Sequence, residues 1–203
     1  LMAILAALKS NISLSEILLI IPRINPVDGR FEKVGKIKNK SKVILDYAHT
    51  PDALKICLSN LREQFPNKKI NLLFGCGGNR DQNKRSKMGK IADDFSDKIY
   101  LTDDNPRYES PIKIRADIKK GIKSKKVIEI SSRAKAIFNA INNLNTGEIL
   151  LVAGKGHELI QDMGKRKIFF SDKKIILDAI KIKNLNLSEN LKLNILKEES
   201  GYK

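Results

Sequence analysis

The 203-residue chain has no tryptophan, two cysteines and two histidines, and aromatic residues make up only 5% of it. Each shortage closes off a class of function. Cys57 and Cys76 form neither a disulfide framework nor a metal-ligand spacing, which fits a reducing, cytoplasmic home. His49 and His157 are far apart in sequence and have no third partner at ligand spacing, so a metal site is not expected. The formal charge of +16 comes from lysines scattered through every segment, and aromatics that could stack on bases are few. That is the pattern of a generic basic surface, so no nucleic-acid partner is expected. No apolar run is long enough to span a bilayer, and the apolar residues 1–8 have no basic region ahead of them. The pattern Gly-x-x-x-x-Gly-Lys-Ser/Thr is absent, so Gly154, Lys155 and Gly156 are not a phosphate-binding P-loop. Gly75, Gly77 and Gly78 lack the spacing of a dinucleotide fingerprint. No Ser-His-Asp arrangement stands out.

What remains is enough apolar sequence to bury a core, arranged in a regular rhythm. Residues 1–8 and 13–21 predict two short helices, the second capped by Ser13 or Ser15 and stopped by Pro22 and Pro26. Nothing ahead of them receives their apolar faces, which suggests a chain that begins inside a larger protein. Residues 25–30 have turn chemistry and make a plausible interdomain linker. Strands are expected over 31–37, 42–46, 70–74, 98–101, 127–130 and 148–152, with a further one at 167–170, antiparallel at an edge. Helices are expected after Thr50 and Pro51, over 85–95, over 110–122, after Ser131 or Ser132, and from Ser171 or Asp172 to about residue 182. Cys57 shares a helical face with Leu54, Leu58, Leu61 and Phe65, so it is a core residue and not a nucleophile. No structure is assigned to the tail, 183–203. Strand, loop and helix repeated in this way predict an α/β fold, a Rossmann-like, mostly parallel sheet with helices on both faces.

The chemistry collects in one stretch. A buried strand ends in Thr102, Asp103, Asp104, Asn105, Pro106 and Arg107. In an open α/β sheet, ligands bind beyond the carboxyl ends of the strands. Arg107 offers a planar fork for a carboxylate, Asp103 and Asp104 can hold an ammonium group, and Asn105 can donate and accept. This set suits an amino acid head with one charge of each sign, although a solvated turn capping the next helix uses the same residue types. Three other loops, at 46–50, 75–81 and 154–158, should emerge at the same edge, and with the first they supply Arg80, Asp104, Asn105, Arg107 and Glu158.

Together the loops carry a resemblance. Asp46 to Leu54, Phe74 to Asp81, Asp103 to Arg107 and Gly154 to Glu158 resemble, in order and spacing, the Mur ligases of peptidoglycan synthesis, in particular those that add diaminopimelate. The likeness runs to about residue 182. It implies a three-domain enzyme, in which residues 1–24 are the last helices of the central ATP-binding domain, 25–30 the linker and 31–182 the amino acid-binding domain. The phosphate loop and a carbamylated metal-bridging lysine would belong to parts outside these 203 residues, so a separately encoded N-terminal part is one expectation. The resemblance also implies a reaction. ATP with Mg2+ phosphorylates the glutamyl carboxylate of UDP-MurNAc-L-Ala-D-Glu, and the amine of meso-2,6-diaminopimelate attacks the acyl phosphate. Arg80, Asp104, Asn105, Pro106, Arg107, Gly154 and Glu158 would hold diaminopimelate, while Arg30 and His49 would touch the nucleotide. Arg107 would favour diaminopimelate over lysine, which lacks the far carboxylate. The alternatives are a folylpolyglutamate or cyanophycin type of ligase, against which the 103–107 motif argues, and a non-catalytic amino acid-binding remnant.

Overall fold

A computed structural model describes residues 2–24, 27–123 and 127–185. Asn25 and Pro26 of the expected linker, and the tail from 186 onward, lie outside the described residues. Two helices open the chain, α1 (Met2–Lys9) and α2 (Leu14–Ile20), followed by a short 3-10 turn at Ile21–Arg23. Ser13, not Ser15, caps α2: its hydroxyl accepts from Glu16 N, and the Glu16 carboxylate accepts from Ser13 N at 2.9 Å, a reciprocal capping box. Of these helices only Ile17 is buried; Met2, Leu18 and Leu19 stand in solvent, as does Ile24 just after them.

The six-stranded main sheet runs in the order β1-β2-β6-β3-β4-β5. Its parallel strands are β2 (Lys42–Asp46), β3 (Ile70–Phe74), β4 (Lys98–Leu101), β5 (Val127–Glu129) and β6 (Ile149–Ala153). β1 (Glu32–Lys33) is antiparallel to β2. It is much shorter than the expected 31–37 strand, because Phe31 and Gly35 both turn to positive φ (46° and 65°) and end the extended run. Val34 and Ile37 still enter the core from the irregular segment.

The five strands read as unbroken apolar runs because the sheet is covered on both faces. Side chains alternate between two cores. Val43, Leu45, Leu73, Tyr100, Leu150 and Val152 meet α6 (Arg133–Asn142) and α7 (Asp172–Leu185). Ile44, Leu72, Phe74, Ile99, Leu101 and Leu151 meet α3 (Pro51–Gln64), α4 (Asn83–Phe95) and α5 (Pro111–Lys119). Thr50 caps α3, Ser110 caps α5, Ser132 caps α6, and Ser171 Oγ accepts from Lys174 N at the start of α7. α5 stops three residues short of its expected end.

The strand expected at 167–170 is β8 (Lys167–Phe169), and it is antiparallel, but not at the edge of the main sheet. It pairs with β7 (Ile160–Asp162), a strand too short to show periodicity, in a separate two-stranded sheet.

The topology fixes where a ligand can sit. β6 lies between β2 and β3, and the chain leaving it reaches α7 on one face, while β2 and β3 lead to α3 and α4 on the other. Loops that part to opposite faces open a crevice at their carboxyl ends.

Both thiols belong to one core. Cys57 and Cys76 are 8% and 4% exposed, and burial pushes each thiol up to about 12. A thiol above its ordinary range stays protonated, and the thiolate is the reactive species. Alkylating reagent at pH 8 should therefore leave both cysteines unmodified in the folded chain and label both after unfolding, as read by mass spectrometry.

Candidate functional site

The crevice holds a cleft of about 490 Å³, lined among others by Tyr47, His49, Arg80, Asp104, Asn105, Arg107, Gly154 and Glu158. Four loops distant in sequence meet here, as parallel strands require. Lys84 and Lys87 of α4 add positive charge and Asp81 negative charge, so both signs line the wall.

The 103–107 segment is held from several sides. Asp103 does not face the cleft: it turns to the Arg115 guanidinium on α5, which also binds Glu129 at 2.8 Å. Of the two carboxylates expected to meet an ammonium, only Asp104 lines the cleft. Its Oδ1 accepts from Asn105 N at 2.7 Å, and its backbone carbonyl accepts from Gln161 Nε2 at 2.6 Å. Pro106 is buried and absent from the cleft wall; its carbonyl accepts from Glu109 N at 3.0 Å and abuts Gly78. Its rigid ring shapes the turn that carries Asn105 and Arg107. A Cβ on Gly78 would stand 1.9 Å from the Pro106 oxygen, so this glycine is required for two loops to touch, and not for backbone approach to a ligand.

Arg107 adopts φ +52°, an uncommon conformation for a non-glycine residue. Its N–H is anchored on Asp162 O at 3.0 Å. The guanidinium donates from Nη1 to Gly78 O at 2.8 Å, and Nε stands 3.7 Å from Asp162 Oδ2. Among the described residues no acceptor reaches Nη2, and the side chain lines the cleft. Strained backbone at such a place is a mark of functional positioning.

Asn105 and Glu158 are joined through Lys155, whose role was not legible in the sequence. The Lys155 side chain is fully buried and donates to Asn105 Oδ1 (3.0 Å), Glu158 Oε2 (2.9 Å) and Ile160 O (2.7 Å). Asn105 Nδ2 in turn donates to Glu158 Oε2 at 3.1 Å. Burial pushes the Glu158 carboxyl up, but the Lys155 hydrogen bond and charge, with Asn105 and Tyr47, outweigh it and leave Glu158 below its ordinary value. Gly154, at φ +116°, passes so close that a Cβ would lie 2.9 Å from Asp104 Oδ2.

Arg80 is exposed and lines the cleft, its Nη1 only 3.3 Å from the neighbouring Asn79 O. His49 sits at the far side, its Nδ1 2.9 Å from Tyr47 O. Arg30 does not line the cleft; its guanidinium lies 4.4 Å from the centroid of the Tyr47 ring. His49 and His157, distant in sequence, both approach the same ring, at 4.6 and 5.5 Å between centroids. Tyr47 is thus the centre of a cationic and aromatic cluster at the cleft mouth. Among the described residues no group of three or more His, Cys, Asp or Glu could hold a metal ion. No helix among them is long and apolar enough to cross a membrane.

Two buried arginines underlie the site, and no periodicity announces them. Arg85 on α4 binds Asp117 (3.1 Å), Glu109 (2.8 Å) and Gly77 O (3.3 Å), tying the glycine loop to α5. Arg133 on α6 makes a two-pronged pair with Asp172 at 2.8 and 2.7 Å, donates to Ala153 O at 2.9 Å, and stands 3.9 Å from Asp104 Oδ2.

Residues 29–156 match the family model described as "Mur ligase, glutamate ligase domain". The UDP-N-acetylmuramoyl-L-alanyl-D-glutamate--2,6-diaminopimelate ligase of Rickettsia felis is 45% identical over 80% of this chain and 30% of its own length. The ligase of that name from Buchnera aphidicola subsp. Baizongia pistaciae is 43% identical over 93% of this chain and 37% of its own. The chain therefore spans about a third of the curated relatives it matches. A solved structure of a ligase of the same name superposes with a TM-score of 0.72 at 34% identity, covering 89% of this chain and 37% of the other. With the parallel sheet, the crevice and the ordered loop motifs agreeing with a match over most of its length, this chain belongs to the Mur ligase family.

Proposed function

We propose that residues 31–182 are the amino acid-binding domain of a ligase that joins meso-2,6-diaminopimelate to UDP-MurNAc-L-Ala-D-Glu in the cytoplasm, residues 1–24 the end of an ATP-binding domain, and 25–30 the linker. The observation that carries this reading is the cleft itself, where Arg107, Arg80, Asp104 and Glu158 bring both charges to one wall. Diaminopimelate carries an ammonium and a carboxylate at each end, so it needs paired sites of both signs. Arg107 and Arg80 meet carboxylate; Asp104 and Glu158 meet the ammonium group of the far end, which leaves the other amino group free; Asn105 and the Gly154 backbone complete the polar wall. Pro106 acts on the turn.

Bound ATP with its magnesium would supply the phosphoryl group that activates the glutamyl carboxylate. Arg30 and His49, gathered on Tyr47, would touch the nucleotide when the domains close; their shared place on one ring supports the reading. The residues of this chain orient the amine: fixing a zwitterion by its charged ends leaves one amino group to attack the activated carbonyl, so that a C–N bond forms, the phosphate leaves and a proton is lost. Positioning of the reactants together with charge stabilisation supplies most of the gain in such a reaction.

Titration calorimetry with meso-2,6-diaminopimelate tests the reading: saturable binding, with lysine clearly weaker, is expected, and equal or absent binding of the two would overturn it. The 203-residue chain alone should show no magnesium-dependent ATP hydrolysis and form no amide, because its sequence contains no P-loop. Product formed by the purified chain would refute this.

A further inference from the structure

Lys155 is a fully engaged, buried cation beside the cleft, yet it is absent from the cleft wall. An ammonium taken out of water is costly unless every donor is used, and all three are used here. Gly154 and Gly156, at φ +116° and +51°, flank it in conformations that other residues rarely adopt.

Its contacts determine what its neighbours present. Asn105 Oδ1 accepts from Lys155 and from Asp162 N at 2.9 Å, which fixes the amide with its oxygen inward and its NH2 toward Glu158. Glu158 Oε2 accepts from both Lys155 and Asn105. Among the described residues Oε1 has only the Tyr47 hydroxyl within hydrogen-bond distance, at 3.5 Å, and Glu158 lines the cleft. We propose that Lys155 is a positioning residue for amino acid binding: it orients the Asn105 amide and holds one oxygen of an ionised Glu158 toward the substrate's ammonium group. This rests on the reading of the cleft as the diaminopimelate site.

The charge matters as well as the geometry. Glu158 faces the cations Lys155 and Arg133 and the Tyr47 hydroxyl, with Asp104, Arg107 and His49 on the same cleft. Without the Lys155 ammonium, burial acts on Glu158 with much less opposition and raises its pKa. A protonated Glu158 no longer attracts an ammonium, so affinity would fall as the pH drops.

The test is calorimetry of meso-2,6-diaminopimelate with the wild-type chain, Lys155→Met and Lys155→Arg at pH 6, 7 and 8. Lys155→Met should bind about tenfold or more weakly at pH 7, with a loss larger at pH 6 than at pH 8. Lys155→Arg, which keeps the charge, should return the pH profile to that of the wild type. His49 is common to all three proteins, so its contribution cancels in the comparison. Lys155→Met within about twofold of wild type, or an equal loss at every pH, would overturn the proposal while leaving the site reading intact. A wild-type chain that binds no diaminopimelate would overturn the site reading, and the proposal with it. If Lys155→Met lacks a folded thermal transition, the wild type still decides. The side-chain NMR resonance of the Lys155 ammonium should shift on adding diaminopimelate. A shift at the Arg107 guanidinium without one at Lys155 would overturn the proposal.

Discussion

Replacing Arg107 by alanine should weaken diaminopimelate binding by about 2–3 kcal/mol, roughly 30- to 150-fold in Kd. The figure sits in the lower part of the range for truncating one member of a desolvated charge pair, because the Arg107 side chain is still 22% exposed. The guanidinium is held for this role. Gly78 O accepts from its Nη1 and Asp162 stands beside its Nε, so the side chain is already held and little rotamer freedom is lost on binding. Lysine has no far carboxylate, so its binding should change much less, and the preference between the two amino acids should shrink by about the same factor. Calorimetry with both ligands on the isolated chain measures this directly, and ligase activity of a whole-length relative carrying the same change gives a second reading. Equal weakening for both amino acids, in a variant that keeps its parent's thermal transition, would remove Arg107 as the selecting residue. Because φ at this position is +52°, the variant Arg107→Gly would relieve strain while deleting the same charge. It should lose affinity as alanine does.

The second large effect is on stability. Arg133→Met should destabilise the chain by about 3–5 kcal/mol, because it leaves the Asp172 carboxyl fully buried without its partner at the first turn of α7. For a chain of this size that corresponds to a fall in Tm of roughly 6–20 °C. The pair joins α6 to α7, and the Arg133 bond to Ala153 O joins both to the end of β6 beneath the cleft. The double variant Arg133→Met, Asp172→Leu should recover much of the loss, since two apolar side chains replace a pair whose desolvation is costly. A single variant melting within a degree or two of the wild type would show that the pair contributes little.

The elements of the fold could be read from the chain because their signals are local. Apolar runs such as Val43, Ile44 and Leu45 can be satisfied only by a strand covered on both faces. Thr50 before Pro51, and Ser110 before Pro111, mark helix starts by chemistry within one turn. The signals failed where the backbone departs from a period. Positive φ at Phe31 and Gly35 cut short the first strand, and β7, at three residues, carries no alternation to detect. The motif loops were legible as residue types, and the order of strands then required them to gather at one edge.

Which of those residues face the ligand was decided only by tertiary structure. Asp103 and Asp104 are adjacent and chemically identical, yet successive residues leaving a strand point to opposite sides. One therefore meets Arg115 on α5 and the other the cleft. Arg30 and His49 come together only because a ring between them, Tyr47, offers a face and an edge. Lys155, Arg133 and Arg85 look in the sequence like three more members of a scattered basic set. Burial makes them different: an ionised side chain out of water must find every partner it can. Lys155 meets that demand with acceptors from residues 105, 158 and 160, and Arg133 with acceptors from 153 and 172. Pairings over such separations in the chain leave no periodic trace, so only the folded sheet could determine them.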